Sequence, residues 1–395
     1  VTAAAGSAHP AVAMRAGAPA VLTSERARDV DVLIVGGGLQ GMSSALHLAR
    51  RGVRTLLLEA DYCGRHASGV NAGGVRTLGR HLAEIPLALA ARDEIWHHIQ
   101  EYVEDRCGFV ASGQLQVIES DADQAKAAER VQMLNAAGFW HERLIGREEV
   151  RELVPAISPH VQGGIWVERD GYALPFRTVT AFRLAAQRAG ADIREGMPVQ
   201  RIYRRDGLWH AEVRGEVFRA RTLVNTAGAW AGEIAAQVGD PVPVQAGGLM
   251  LMVTRRVAPF VNPVLGAVGR PLSFKQFDNG TVVIGGGLRC TADPQARVAD
   301  VDVSTMGASA RTVTELFPHL ADIAIARAWG GVEAFMPDLI PVIGFSRQGH
   351  DVVHAFGFSA HGFEMGPVVG RIVSELVCDG ESRLPIAPFA VERFF

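Results

Sequence analysis

The stretch "DVLIVGGGLQGMSSALHLARRGVRTLLLEA", residues 31–60, constrains the fold more than any other part of the chain. Val30–Val35 is a short continuous apolar run, the pattern of a strand buried on both faces. Gly36, Gly38 and Gly41 follow as G-x-G-x-x-G. Leu39, Met42, Ala45, Leu46 and Ala49 then recur at helical spacing until Gly52. "RTLLLE" is a second buried strand that ends at Glu59, 18 residues beyond Gly41. This is a βαβ unit with glycines at its first turn. Gly36 permits the tight turn, Gly38 admits a pyrophosphate to the backbone, and Gly41 lets helix and strand pack closely. The helix N-terminus offers free N–H groups and its positive dipole end to phosphates. Glu59 stands where an acid accepts hydrogen bonds from ribose hydroxyls. Strand, glycines, helix and acid together predict a dinucleotide site.

A second glycine run tests that reading. "TVVIGGGLRCTADP", residues 281–294, also places three glycines after an apolar run, but no helical pattern or acid-ended partner strand follows. It reads as a hairpin strand and turn.

At 395 residues the chain is long enough for two domains. A net charge of −3 gives no electrostatic reason to expect nucleic acid or an anionic membrane. No apolar run reaches the ~18 residues of a membrane helix. Cys63, Cys107, Cys290 and Cys378 are scattered without metal-ligand spacing, which fits a reducing cytoplasm and no metal site. Residues 1–29 are rich in Ala, Gly and Pro and lack an apolar signal-peptide segment. They read as a tail, with Met14 an alternative start.

After Glu59 comes "DYCGRHASGVNAGGVRTLGR", whose small residues suit a backbone lying against a flat ring, and then a long helix predicted over Leu82 to Arg106. The ordered segments GGGLQG, "SGVNAGGVR", "DGYALP", "VNTAGAWA", "WGGVEAFMPDLIPVIG" and "HAFGFSAHGFEMGP" resemble the D-amino acid oxidase/glycine oxidase/sarcosine oxidase family of FAD-dependent oxidoreductases, over residues 30 to about 385. The nearest branch in flavour is that of the β-type subunit of sarcosine oxidase and of hydroxyproline and opine dehydrogenases, which "SFKQFDNGTVVIGG" also resembles.

The resemblance implies a Rossmann-like, glutathione-reductase-like α/β FAD-binding domain joined to a mostly antiparallel β substrate domain. The FAD domain takes residues 30–108, 171–240 and 327–395; the substrate domain takes 109–170 and 241–326. Helices are expected at Asp121–Ala137, around Ala308–Phe317 and at Val368–Val377, with a strand around Val199 passing the adenine. FAD is expected against Gly36, Gly38, Leu39, Gln40, Gly41 and Glu59; against Ser68, Asn71, Ala72, Gly73 and Gly74; against Val199, Ala227, Gly228 and Trp230; and against Gly357, Ser359, Gly362 and Phe363.

The implied activity is oxidation of a C–N bond in a small amine or amino acid by hydride transfer to flavin N5, giving an imine that hydrolyses. Oxygen or a redox partner protein accepts the electrons. The chain acts alone or as the FAD subunit of a hetero-oligomer, and a flavin-binding protein without turnover is the remote alternative. Arg76 either stabilises reduced flavin, contacts a substrate carboxylate, or forms a surface ion pair. His361 contacts substrate or flavin, or is a satisfied loop histidine. Lys275 either assists oxygen or is a solvated edge-strand lysine. Some relatives attach FAD covalently through Cys or His. The corresponding positions here are Gly331 and Asn71, so noncovalent FAD is expected. Where glycine oxidase-like enzymes hold the substrate carboxylate with arginine, this chain has Glu333, which either binds a cationic part of the substrate or only fixes the wall.

Overall fold

The computed structural model describes residues 29–395. The expected tail lies outside the described residues, Met14 included, except for Asp29, which begins the first strand. Two large sheets organise the rest. In the first, Gly349–Phe356, Glu216–Asn225, Asp29–Val35, Thr55–Leu58 and Asp192–Arg194 run parallel in that order. Val342–Ser346 closes one edge antiparallel, and the hairpin Arg201–Arg205/Leu208–Val213 hangs from Glu216–Asn225. Thr55–Leu58 is buried at every position, as its uninterrupted apolar sequence requires.

Gly38 opens the first helix, Leu39–Arg50, which packs between Pro175–Arg188 and the C-terminal helix Gly362–Asp379. Glycine makes the second contact close. Gly362, Gly366 and Gly370 share one helix face at i, i+4 and i+8. A Cβ on Gly366 would stand 2.6 Å from Leu39 Cγ, and one on Gly370 would stand 2.3 Å from the Ser43 carbonyl carbon. The C-terminal helix begins six residues before the expected Val368, and Pro367 lies inside it. That proline falls in the second turn, where its missing donor leaves the Phe363 carbonyl without its helical partner.

The second sheet runs Arg289–Cys290, Gln245–Thr254, Val282–Gly285, Ser273–Gln276, Val264–Ala267, Gln114–Ile118, Gly163–Val167, Arg143–Gly146. It is antiparallel except between Val264–Ala267 and Gln114–Ile118. The long strand Ile325–Phe335 also joins it, against Gln245–Thr254. The expected boundary at 326/327 therefore falls inside a strand of the second sheet. The glycine run after Val282 turns at Gly286 (φ 109°) and Gly287 (φ 79°) into another strand, with no helix.

Three other expectations change. The segment after Leu82 is a chain of short turns: helix Ile85–Ala90, a π turn over Ala91–Ile95, and helix Ile99–Val103. The wide turn aims Arg92 inward, where its guanidinium donates to Thr77 Oγ1 at 3.0 Å and Asp170 Oδ1 at 3.3 Å. Val199 lies in a loop between Asp192–Arg194 and Arg201–Arg205, not in a strand. The helix expected from Ala308 starts at Val303, because the Asp302 side chain caps it by accepting from Thr305 N at 2.6 Å. No described helix is long and apolar enough to cross a membrane.

Candidate active site

A cavity of about 580 Å³ runs between the two sheets, within the range of small-molecule and cofactor sites. One end is built by the glycine turn. Gly36 (φ 109°) lies so close to Thr226 that a Cβ would stand 2.4 Å from its carbonyl oxygen. Gly41 is equally pinned, 2.0 Å from Gly36 O, but it does not line the cavity; its role is packing. Gly38, as helix N-cap, contributes no side chain, and Ser68 Oγ accepts from Leu39 N at 2.9 Å. Leu39 itself points away from the cavity into the core, against Gly366. The first turn carries no acid. A helix end without an acid in its first turn, facing a cavity, is chemistry for an anion.

Glu59 closes this end. It accepts from Gly37 N at 2.6 Å through Oε2 and from Asp61 N at 2.7 Å through Oε1. Burial pushes its carboxyl above the usual range against those two donors. A carboxylate has about four lone-pair sites, so acceptor capacity remains for two ribose hydroxyls. Val199, Ala227, Gly228 and Trp230 line the same end.

The middle wall is the small-residue loop. Gly73 (φ 71°) would carry a Cβ 2.1 Å from Ala173 O, so no other residue fits. Ala72 and Gly74 line the cavity beside it. The Asn71 side chain is spent on its own loop: it donates to Ala67 O and Ser68 O and accepts from Gly73 N. Lys275 reaches this loop from behind. It sits on the central strand Ser273–Gln276, not an edge, is buried, and does not line the cavity. Its ammonium donates to Ala72 O and lies 5.0 Å from the Tyr172 ring centre. Burial pushes its pKa down to about 7.

The other end combines the C-terminal glycine loop with charged groups. Gly357, Ser359 and Ala360 take φ of 76°, 50° and 72°; two of the three are non-glycine residues in left-handed backbone, a strain held by surrounding contacts. Ser359 Oγ accepts from Met336 N at 3.1 Å, and Gln40 Nε2 donates to Gly362 O at 2.8 Å, tying the loop to the first helix. His361 lines the cavity, and its Nδ1 lies 3.0 Å from Glu84 Oε2. Burial, then the charge of Arg80, hold the imidazole down to about 4, so it is neutral. Phe363 lines the cavity but packs on Trp96, ring centres 5.4 Å apart.

Arg76 lines the cavity and donates to Leu78 O at 2.7 Å; it is no surface residue. Burial and Arg80 lower its pKa to about 10, still charged at neutral pH. Glu333 lines the cavity from the strand Ile325–Phe335. Burial pushes it up to about 7 against the N–H groups of Ala334 and Ala360 and the charge of Arg289. Arg289 itself stacks on Phe335, 3.5 Å from the ring centre.

Several cavity residues escaped the sequence reading, among them Asp61, His66, Arg297, Arg80 and Glu364. Arg80 and Glu364 are buried, with Nη2 and Oε2 3.4 Å apart, while Arg80 Nη1 and Glu364 Oε1 have no partner. Glu364 lies inside the segment "HGFEMGP"; an acid in an apolar helix start was the available signal.

The residues present fit FAD. The glycine turn and helix end would hold a diphosphate, Glu59 would accept from ribose, and the small residues Ala72, Gly73 and Gly74 would leave room for a flat ring.

Comparison with known proteins agrees. Hydrogen cyanide synthase subunit HcnC of Pseudomonas aeruginosa is 27% identical, covering 93% of this chain and 97% of its own. The beta subunit of sarcosine oxidase from Rhizobium meliloti is 24% identical, covering 92% and 88%. The crystal structure of L-proline dehydrogenase from P. horikoshii superposes with a TM-score of 0.86 at 26% identity, covering 93% and 98%. The model of the DAO family, described as FAD dependent oxidoreductase, matches residues 31–376. This chain belongs to the DAO family of FAD-dependent oxidoreductases.

Proposed function

We propose that this protein oxidises the C–N bond of a small amine or amino acid, with FAD held noncovalently. The observation that carries the substrate half of this reading is a basic and an acidic side chain, Arg76 and Glu333, lining the same cavity. FAD, when bound, takes up the electron pair and hydrogen that leave the carbon beside the nitrogen. Glu333, with a pKa near neutrality, holds a cationic nitrogen and can accept its proton. Arg76 faces a carboxylate where the substrate has one. His361, neutral and hydrogen-bonded to Glu84, fixes the loop beneath the substrate. The imine product then hydrolyses in water. No described cysteine lines the cavity, which supports noncovalent attachment.

Relatives named as subunits, HcnC and the beta subunit of sarcosine oxidase, support a second form of the same reading: one FAD subunit of a hetero-oligomer, passing electrons to a partner protein. Lys275, behind Ala72, supports oxygen as acceptor instead, since a cation near the flavin stabilises superoxide.

An anaerobic screen of amines and amino acids for loss of flavin colour tests the function, followed by admission of oxygen. Fast recovery that slows in Lys275→Met assigns oxygen; slow recovery in both assigns a partner protein. Colour that no compound in a broad panel removes would reject amine oxidation. On the substrate found, Glu333→Gln is expected to lower kcat/KM by roughly tenfold, the loss of one charged hydrogen bond.

A further inference from the structure

The second domain sends one hairpin across to the first. After the turn at Gly286 and Gly287 the chain runs out through Arg289–Cys290, and Ala292–Asp293 pairs back with Val298–Ala299. The tip between them is built tightly: Asp293 Oδ1 accepts from Gln295 N at 2.8 Å and from Ala296 N at 2.9 Å. Arg297 follows with φ 57°, a left-handed backbone on a residue with a Cβ. Such strain persists only where contacts hold it, and it concentrates at binding sites.

The strands of the hairpin rest on Gln245–Thr254 and Ile325–Phe335, while its tip is fastened on the nucleotide side of the cavity. Trp230 Nε1 donates to Pro294 O at 2.9 Å. Arg297 Nη1 donates to Asp61 Oδ2 at 3.2 Å, and its guanidinium lies 5.8 Å from the Trp230 ring centre. His66 reinforces both anchors: its Nε2 is 3.1 Å from Asp61 Oδ2 and its ring 4.7 Å from that of Trp230. Arg297, Asp61, His66 and Trp230 all line the cavity. The side chains of Arg297 and Asp61 keep 32% and 27% of their exposure, which places the link at the rim. Asp61 also donates through its own N–H to Glu59, which in turn receives Gly37 N. An unbroken line of contacts therefore runs from the hairpin tip to the glycine turn.

We propose that the hairpin Ala292–Ala299 is a cofactor latch: laid by the second domain over the rim of the nucleotide groove and fastened by Arg297 to Asp61 and by Pro294 to Trp230, it lifts for FAD to enter or leave. The proposal rests on FAD occupying that groove. It makes Arg297 a retaining residue for the cofactor, with no part in the chemistry at the far end of the cavity.

The test is the rate of FAD release from the holoprotein, read as the rise of free-flavin fluorescence after dilution. Arg297→Gln removes the partly exposed ion pair and is expected to speed release roughly threefold; Asp61→Asn removes it together with the Asp61 pairings to Arg65 and His66 and is expected to speed release at least as much. The double variant releases no faster than Asp61→Asn alone, because that change already breaks the link. Trp230→Phe keeps the ring, removes the donor to Pro294, and is expected to speed release by a similar factor. High salt drives the native protein toward the Arg297→Gln rate and leaves that variant unmoved. Melting temperatures of the flavin-free proteins stay together, since opening a rim hairpin does not unfold a core. Unchanged release in Arg297→Gln overturns the latch. So does an additive double variant, or a melting temperature that falls while release does not change. A native protein that takes up no FAD overturns instead the cofactor reading beneath it.

Discussion

Glu333 offers a measurement that needs no substrate. Its carboxyl is carried from an ordinary 4.5 to about 7, chiefly by burial. The folded state thus prefers the protonated acid, and the sign follows. Stability from this preference is fully present below pH 4.5 and is lost as pH rises through 7, where the folded protein must ionise a group the unfolded chain ionised earlier. At about 1.4 kcal/mol per pH unit the whole displacement corresponds to roughly 3 kcal/mol. Glu333→Gln keeps the shape and removes the titration. Urea unfolding of the flavin-free protein at pH 5, 6, 7 and 8 reads the difference. Native stability relative to the variant is expected to fall by roughly 2–3 kcal/mol across that range, most of it between pH 5 and 7. Curves for the two proteins that stay parallel would refute the argument and put Glu333 in open solvent.

Gly38→Val places a branched side chain at the helix N-cap, where even a Cβ would stand 3.0 Å from Ser68 Oγ. The purified variant is expected to lack flavin absorbance while its far-ultraviolet circular dichroism stays native. Acid precipitation of the holoprotein is expected to leave all flavin in the supernatant; flavin retained on the pellet would expose an attachment residue outside Gly331 and Asn71.

What the sequence revealed was local. The glycine turn and Glu59 are legible because neighbouring residues dictate them: a strand, a tight turn and a helix within thirty residues. The π turn at Ala91–Ile95 was not: its Arg92 finds its partner Asp170 far along the chain, reached only by folding. Lys275 reads as an edge lysine until the strand order places it at the centre of a sheet. Arg80 and Glu364 lie 284 positions apart and meet only through tertiary packing. The boundary expected at 326/327 lies within the eleven-residue strand Ile325–Phe335, which carries no composition break.

The three glycines on the C-terminal helix have a consequence for how the protein is made. The first helix is finished after residue 50, yet the face it needs arrives with Gly362, Gly366 and Gly370. On the ribosome, at ~5–20 residues per second, the glycine turn therefore waits on the order of half a minute for its partner. During that interval Leu39 and Ser43 are uncovered, and the cavity lacks the loop from Gly357 to Gly362. The nascent chain cannot hold its cofactor as the finished protein does. Flavin capture thus belongs to the last act of folding, and a chain shortened before residue 362 is a candidate for chaperones and proteases however intact its nucleotide motif.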